Sequence, residues 1–324
     1  MHSLNSLQKK LNEAFGSLRF NGQPAELYEP VKYTLQLGGK RIRPLLVLLG
    51  CDLFGGDPEK AIPAAIGIEL FHNFTLLHDD IMDQALLRRG KETVYKKWNS
   101  NVAILSGDTL FALAYESLLK ADPAIYPDLL PLFTETAKQV CEGQQYDMNF
   151  EKKELVTIPE YLEMIRLKTA VLLACSLCSG AIVAGAAPEG ARMLYSAGEN
   201  LGMAFQLQDD LLDIYGTEEK FGKEIGGDIV SNKKTFPFLT ALHGSGEKER
   251  TALQECFRDL SIAPSEKIRR VKEIYDLLNV REITLKKISE YFGYATELLE
   301  SIQVPAGNKK GLLELANQLI KRDF

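Results

Sequence analysis

Residues 71–83 read FHNFTLLHDDIMD, and residues 205–213 read FQLQDDLLD. In both, acidic residues stand at i, i+1 and i+4 inside an apolar run: Asp79, Asp80 and Asp83, then Asp209, Asp210 and Asp213. At about 100° per residue a helix puts Asp79 and Asp83 on one face with Asp80 flanking it, and the second cluster repeats the pattern. Leu76, Leu77, Ile81 and Met82 set the first cluster at the edge of a core. Like charges within one turn repel, and the repulsion grows as they are buried, so something positive must neutralise them.

Outward from these two stretches, helical periodicity dominates and strand alternation is almost absent. The pattern predicts helices over 3–18, 25–37, 43–54, 61–85, 99–120, 124–150, 158–185 and 189–215, with shorter ones from 238 onward. Breaks fall at Gly38-Gly39, at Gly55-Gly56-Asp57-Pro58, at Asp122-Pro123, at Ala187-Pro188 and in the Gly/Lys-rich stretch 216–234. No linker or shift in composition divides the 324 residues. The expectation is one all-α domain, 1–324, an antiparallel helical bundle with a central active-site cavity.

Hydrophobic residues make up 45% and charged residues 25%, enough for an ordinary core. The net charge of −6 argues against nucleic acid as a partner, because a phosphate backbone is met by a broad basic surface. Five scattered cysteines read as reduced thiols of a cytoplasmic protein, and Cys175-x-x-Cys178 lacks the second pair of a zinc site. The N-terminal MHSLNSLQKKLNEAF has no apolar core and no small-residue cleavage site, so no signal peptide is expected. The stretch 170–187 approaches spanning length. It holds Ser176, Ser179, Gly180 and Gly185, and reads as a buried bundle helix with no stable membrane insertion.

One cluster of three aspartates reads most simply as a solvated acidic face. Two of identical spacing read better as two halves of one site. Hard divalent cations suit them, since Mg2+ takes oxygen ligands and bridges carboxylates to substrate phosphates. The cationic residues narrow the chemistry. Lys40, Arg41 and Arg43 cluster at a helix start, where backbone N–H groups also favour anions. Arg88-Arg89-Gly90 follows the first acidic cluster, Lys168-Thr169 opens the apolar helix, and Lys223, Lys233 and Lys234 stud the stretch after the second. Acidic clusters, guanidinium groups and apolar helix walls together describe a cavity for a diphosphate with a hydrocarbon tail.

Taken in order, GGKRIRP, FHNFTLLHDDIMD, RRG, KTA, FQLQDDLLD and GKEIGGDIVSNKKT resemble the motifs of the trans-type (head-to-tail) isoprenyl diphosphate synthases, the polyprenyl synthetase family. The resemblance runs by motif from Gly38 to Thr235. It implies that Asp79, Asp80, Asp83 and Asp209 hold three Mg2+ against an allylic diphosphate. It also implies that Arg88, Lys168, Lys223 and Lys233 grip that diphosphate, and that Lys40, Arg43, His72 and Arg89 form the isopentenyl diphosphate pocket. Thr169 and Gln206 match the polar groups facing the nascent carbocation, and Asp210 and Asp213 complete the second acidic motif. His78 reads as an orienter of the cluster. One departure is Ser231-Asn232 before Lys233, where an acidic residue and Gly often stand, which leaves Lys233 or Lys234 as the phosphate contact. The resemblance further implies a homodimer.

Such an enzyme joins isopentenyl diphosphate to an allylic diphosphate primer of C5 to C15. Product length is then a matter of geometry. Phe74 and Phe71 lie five and eight residues before Asp79 and three apart, hence on one face, and form a floor for the growing tail. In the family this chain resembles, an aromatic five residues before the first Asp, with no insertion in the motif, accompanies short products; Thr75 in place of a second adjacent aromatic leaves slightly more room, so the resemblance implies a product of C15 to C20. A class I terpene cyclase on the same bundle, or a non-catalytic partner of another synthase, are the competing expectations. The second DDxxD and the intact basic motifs speak against them.

Overall fold

The computed structural model describes residues 2–216, 225–259 and 261–320. Among these the chain is helical apart from turns and one two-stranded ribbon, so the all-α class holds. The helices are α1 (Leu4–Ser17), α2 (Ala25–Gln36), α3 (Ile42–Leu53), α4 (Pro58–Met82), α5 (Val94–Lys97), α6 (Ser100–Leu118), α7 (Tyr126–Lys152), α8 (Ile158–Ile165), α9 (Val171–Val183) and α10 (Pro188–Tyr215). Further helices follow between Gly227–Val230 and Ala306–Ile320; Val280–Ser301, at 22 residues, is longer than expected for this part of the chain.

Local chemistry sets the boundaries. Asp57 accepts from the Glu59 N–H and Pro58 takes the first helical position of α4, which therefore begins three residues earlier than its apolar periodicity suggests. Asn99 caps α6 in the same way, and Thr157 and Glu160 form a capping box on α8.

The chain divides into two compact units, Met1–Thr134 with Cys175–Tyr195 and Ser301–Leu315, and Glu135–Ala174 with Ser196–Glu300 and Ala316–Phe324. In the first, α4 packs against α3 and α6 around Leu46, Leu48, Ile68, Phe71, Leu110 and Leu118, all buried. In the second, Tyr161 and Met164 of α8 pack with Leu207 and Leu211 of α10 and with Phe236, Leu239, Val271 and Tyr275. The run Ile158–Val183 is apolar and long enough to cross a membrane, but its apolar window is mostly buried within the protein.

Two features depart from the regular helices expected. The helix predicted to run to 85 stops at Met82, and Leu87–Arg88 pairs antiparallel with Lys91–Glu92. The turn between these strands places Arg89 at φ 54° and Gly90 at φ 74°. Two consecutive left-handed residues match the right-handed twist of a tight hairpin. Second, the helix predicted over 158–185 widens into one π turn at Arg166–Ala170, between α8 and α9.

Candidate active site

The first acidic cluster occupies the end of α4. Asp79 and Asp80 lie in its last turn and Asp83 is the C-cap, its N–H bonded to the Asp79 carbonyl at 2.8 Å. A helix C-terminus carries partial negative charge, so carboxylates there are disfavoured twice, by the dipole and by one another. The second cluster repeats this placement, with Asp213 in the last turn of α10 and Asp209 and Asp210 one turn before.

Within the first unit, Asp80 is 4% exposed. Arg88 holds it through Nε and a terminal nitrogen, both 2.7 Å from Oδ1. Burial pushes its carboxyl up, and the Arg88 guanidinium pulls it back. The hairpin makes this possible, because it returns the chain so that Arg88 reaches a residue eight positions earlier. Asp79 is half-buried and Asp83 exposed.

A basic group is assembled beside this cluster. Arg43 donates to Nε2 of His72 at 3.1 Å, and its own Nε is a buried donor with no partner. His72 is held neutral, well below the usual imidazole range, by burial and then by Arg43, Arg89 and Arg88. Burial also lowers Arg43, to about 10, with Arg89 adding to the effect and Glu69 opposing it. A Cβ on Gly39, whose φ is 137°, would lie 2.7 Å from the Arg89 guanidinium, so the Gly38-Gly39 turn lies directly against Arg89. Arg41, by contrast, turns away; its guanidinium sits over the Phe15 ring at 4.4 Å and bonds Asn12. Glu69, buried and pushed up by burial against Arg43, Arg89 and Arg41, is the local counter-charge. The sequence reading missed it, although its place three residues before His72 puts the two on one helical face. His78 faces α6 rather than the carboxylates: its Nε2 donates to the Ile104 carbonyl at 3.3 Å, and its ring packs on Phe74 at 4.7 Å.

Below the cluster the aromatics converge. Phe71 is fully buried and lies 5.3 to 5.6 Å from Phe74, Phe111 and Phe133; Phe74 stacks on Phe111 at 5.1 Å. Thr75 is turned back on its own helix, its hydroxyl donating to the His72 carbonyl at 2.8 Å.

In the second unit, a cavity of about 120 Å³ is lined by Asp147, Lys168, Thr169, Gln206, Asp210 and Lys233, among others. Thr169 donates to Gln206 Oε1 at 3.0 Å and Gln206 Nε2 donates to Asp210 Oδ1 at 3.0 Å. Tyr161 donates to the other oxygen of Asp210. Asp210 is thus a buried anchor whose carboxyl is pushed up to about 8, by burial first and then by Asp228. Asp213 accepts from the Asp228 N–H at 3.0 Å and fixes the start of the helix Gly227–Val230. Asp209 remains half-buried.

Lys168 and Thr169 owe their position to the π turn. A Cβ on Gly143 of α7 would lie 2.3 Å from the Lys168 backbone nitrogen, so the widened turn rests on α7 where α7 has no side chain. There Lys168 meets Asp147 at 2.6 Å. Lys234 donates to the Phe150 carbonyl at 2.5 Å, closing the end of α7, while Lys233 lines the cavity. Asp147, Tyr161 and Asp228 went unassigned in the sequence reading; their partners lie 15 to 49 residues away, and no local period reports such pairs. Lys223 lies outside the described residues.

Among the described residues no three His, Cys, Asp or Glu side chains form a ready-made metal cage.

The family model for polyprenyl synthetase matches residues 24–278. The geranylgeranyl pyrophosphate synthase of Geoglobus acetivorans is 38% identical over 317 residues, 97% of each chain. A crystal structure of a geranylgeranyl pyrophosphate synthase superposes with a TM-score of 0.95 at 43% identity, covering 100% of both chains. The polyprenyl synthase of Caulobacter crescentus, solved with calcium and isoprenyl diphosphate, matches with a TM-score of 0.88 at 30% identity over 98% of this chain and 96% of that one.

Proposed function

The chain belongs to the polyprenyl synthetase family, and from that premise we propose that the acidic ends of α4 and α10 serve one reaction within a single functional domain. It is a trans-prenyltransferase of the geranylgeranyl diphosphate synthase type. It condenses isopentenyl diphosphate with an allylic diphosphate to a C15–C20 prenyl diphosphate and releases diphosphate.

The residues divide the work. Asp79, Asp83 and Asp209 hold divalent cations, Mg2+ in the cell and three per site by the family's pattern; the calcium-bound relative supports a divalent metal. Bound there, Mg2+ supplies Lewis-acid stabilisation of the departing diphosphate. Arg88, Lys168 and Lys233 add fixed positive charge to the same leaving group. Asp147 holds Lys168 until a phosphate displaces it, and Asp80 holds Arg88. Lys40, Arg43, Arg89 and neutral His72 take the second diphosphate; the unpaired Nε of Arg43 is a donor waiting for an anionic acceptor.

As the allylic C–O bond breaks, the oxygens of Thr169 and Gln206 face the cation. Tyr161 and Asp210 fix the orientation of the Gln206 amide behind them. The double bond of isopentenyl diphosphate then forms the new C–C bond, and the intermediate loses a proton to the departing diphosphate. Exposed Ile104 and Leu105 on α6 support a homodimer, and five free thiols suit a reducing cytoplasm.

The observation that carries this reading is the pair of aspartate triplets at helix C-termini, each beside a built set of Lys and Arg. The test is incubation of the purified chain with isopentenyl diphosphate and each of the C5, C10 and C15 primers. The expected result is C15–C20 product with Mg2+ and none after chelation. Metal-independent turnover, or absence of any condensation, overturns it.

A further inference from the structure

Beside the acidic cavity a second hollow of about 580 Å³ opens in the same unit, where the end of α7 meets the helices Phe236–Gly244 and Glu247–Arg258. Its floor is apolar, formed by Phe238, Leu242 and Phe257, with the two rings 4.3 Å apart. Its rim carries Lys152, Lys153, Lys234, Arg250 and Arg258 against Glu151 and Glu154. In a chain of net charge −6 this local excess runs against the global sign. Lys153 is taken up by Glu160 and Lys234 by the Phe150 carbonyl. The arginines are not so committed. Arg250 makes one 3.2 Å bond to the Ser245 carbonyl, and Arg258, among the described residues, makes no ion pair.

We propose that this hollow is a second binding site for a prenyl diphosphate, held without metal, with its tail on Phe238, Leu242 and Phe257 and its diphosphate on Arg250 and Arg258. The identity of the ligand rests on the synthase reading, since such molecules are what the chain produces. Guanidinium groups pair with phosphate in forks, and hollows of roughly 300–1,000 Å³ enclose ligands of this size. Among the described lining residues, five Lys and Arg outnumber the two carboxylates, Glu151 and Glu154, so the rim itself supplies the positive charge a diphosphate needs. Glu151, Asn232 and Lys234 line both hollows. A diphosphate on the rim competes for the Lys234 ammonium, which otherwise closes the end of α7 beside Lys233. Occupancy is thereby linked to a wall of the catalytic cavity, and product feeds back on turnover.

The test compares the wild type with the double variant Arg250→Glu/Arg258→Glu, both exposed residues outside the acidic and basic motifs. In the first arm, geranylgeranyl diphosphate is titrated calorimetrically in EDTA. The expected result is metal-free binding by the wild type, weakened at least about tenfold in the variant. Equal affinity in both, or no binding in either, overturns the proposal. In the second arm, initial rates are measured with Mg2+ and added geranylgeranyl diphosphate. The wild type shows mixed inhibition against the allylic substrate, with kcat lowered; the variant keeps the uninhibited kcat and KM and shows competitive inhibition alone. Identical inhibition patterns overturn it. Displacement of the ligand by phosphatidylglycerol vesicles assigns the hollow to a lipid surface and also overturns it. A chain with no condensation activity refutes the synthase reading, while the first arm, which needs no turnover, still decides on the site.

Discussion

Phe74 and Phe71 share a helical face as their spacing predicts, but they are not equivalent. Phe71 has no exposed surface and sits inside a cluster of four rings, so Phe71→Ala should cost about 3–5 kcal/mol of stability. Phe74 is only half-buried, between Phe111 and His78, so its removal opens space without emptying the core. Phe74→Ala is therefore the cleaner probe of product length. Chromatography of its products should show chains at least one isoprene unit longer than the wild type's; an unchanged distribution removes Phe74 from the ruler. The sequence showed two of these rings because they share a helix. Phe111 and Phe133 belong to α6 and α7, and nothing in the pattern of α4 announces them.

At the scale of elements, most helices were legible because apolar periodicity and turn residues agree. What escaped was decided by contacts across the chain. The segment Arg166–Ala170 has ordinary helical residues, and its π turn becomes intelligible only beside Gly143. The start of α4 is legible in Asp57-Pro58 once the Pro is read as a first helical residue rather than as a break. The tie between α8 and α10, Tyr161 on Asp210, has a consequence for pH. The Asp210 carboxyl is raised to about 8 in the folded chain from an ordinary value near 3.8, so the folded state binds the extra proton. Its stabilising contribution is whole below about pH 4 and is lost as pH rises through about 8. Asp210→Asn keeps a neutral group there, with Oδ1 facing Gln206 and the Tyr161 hydroxyl turned to accept. In metal-free protein, the melting temperature of the variant relative to wild type should climb between pH 5 and 8 and then level off, reflecting a few kcal/mol at most. A difference that stays flat across that range contradicts the assignment.

For the molecule as a whole, the reading of function came from two motifs some 130 residues apart and a set of cations before, between and after them in sequence. The fold class was legible because a chain without strand alternation has few alternatives. The division into two compact units was not, since no linker or change of composition marks it. The proposal stands on Asp79 and Asp209 both being required for one reaction, the condensation. The most direct measurement is a double-mutant cycle on Mg2+-dependent kcat/KM with Asp79→Ala, Asp209→Ala and the pair, each checked for an unchanged melting transition. Groups that work as one device are not additive, so each single change should lower kcat/KM by about a thousandfold and the pair by little more. Near-normal activity of either single variant, or losses that simply multiply, would contradict it.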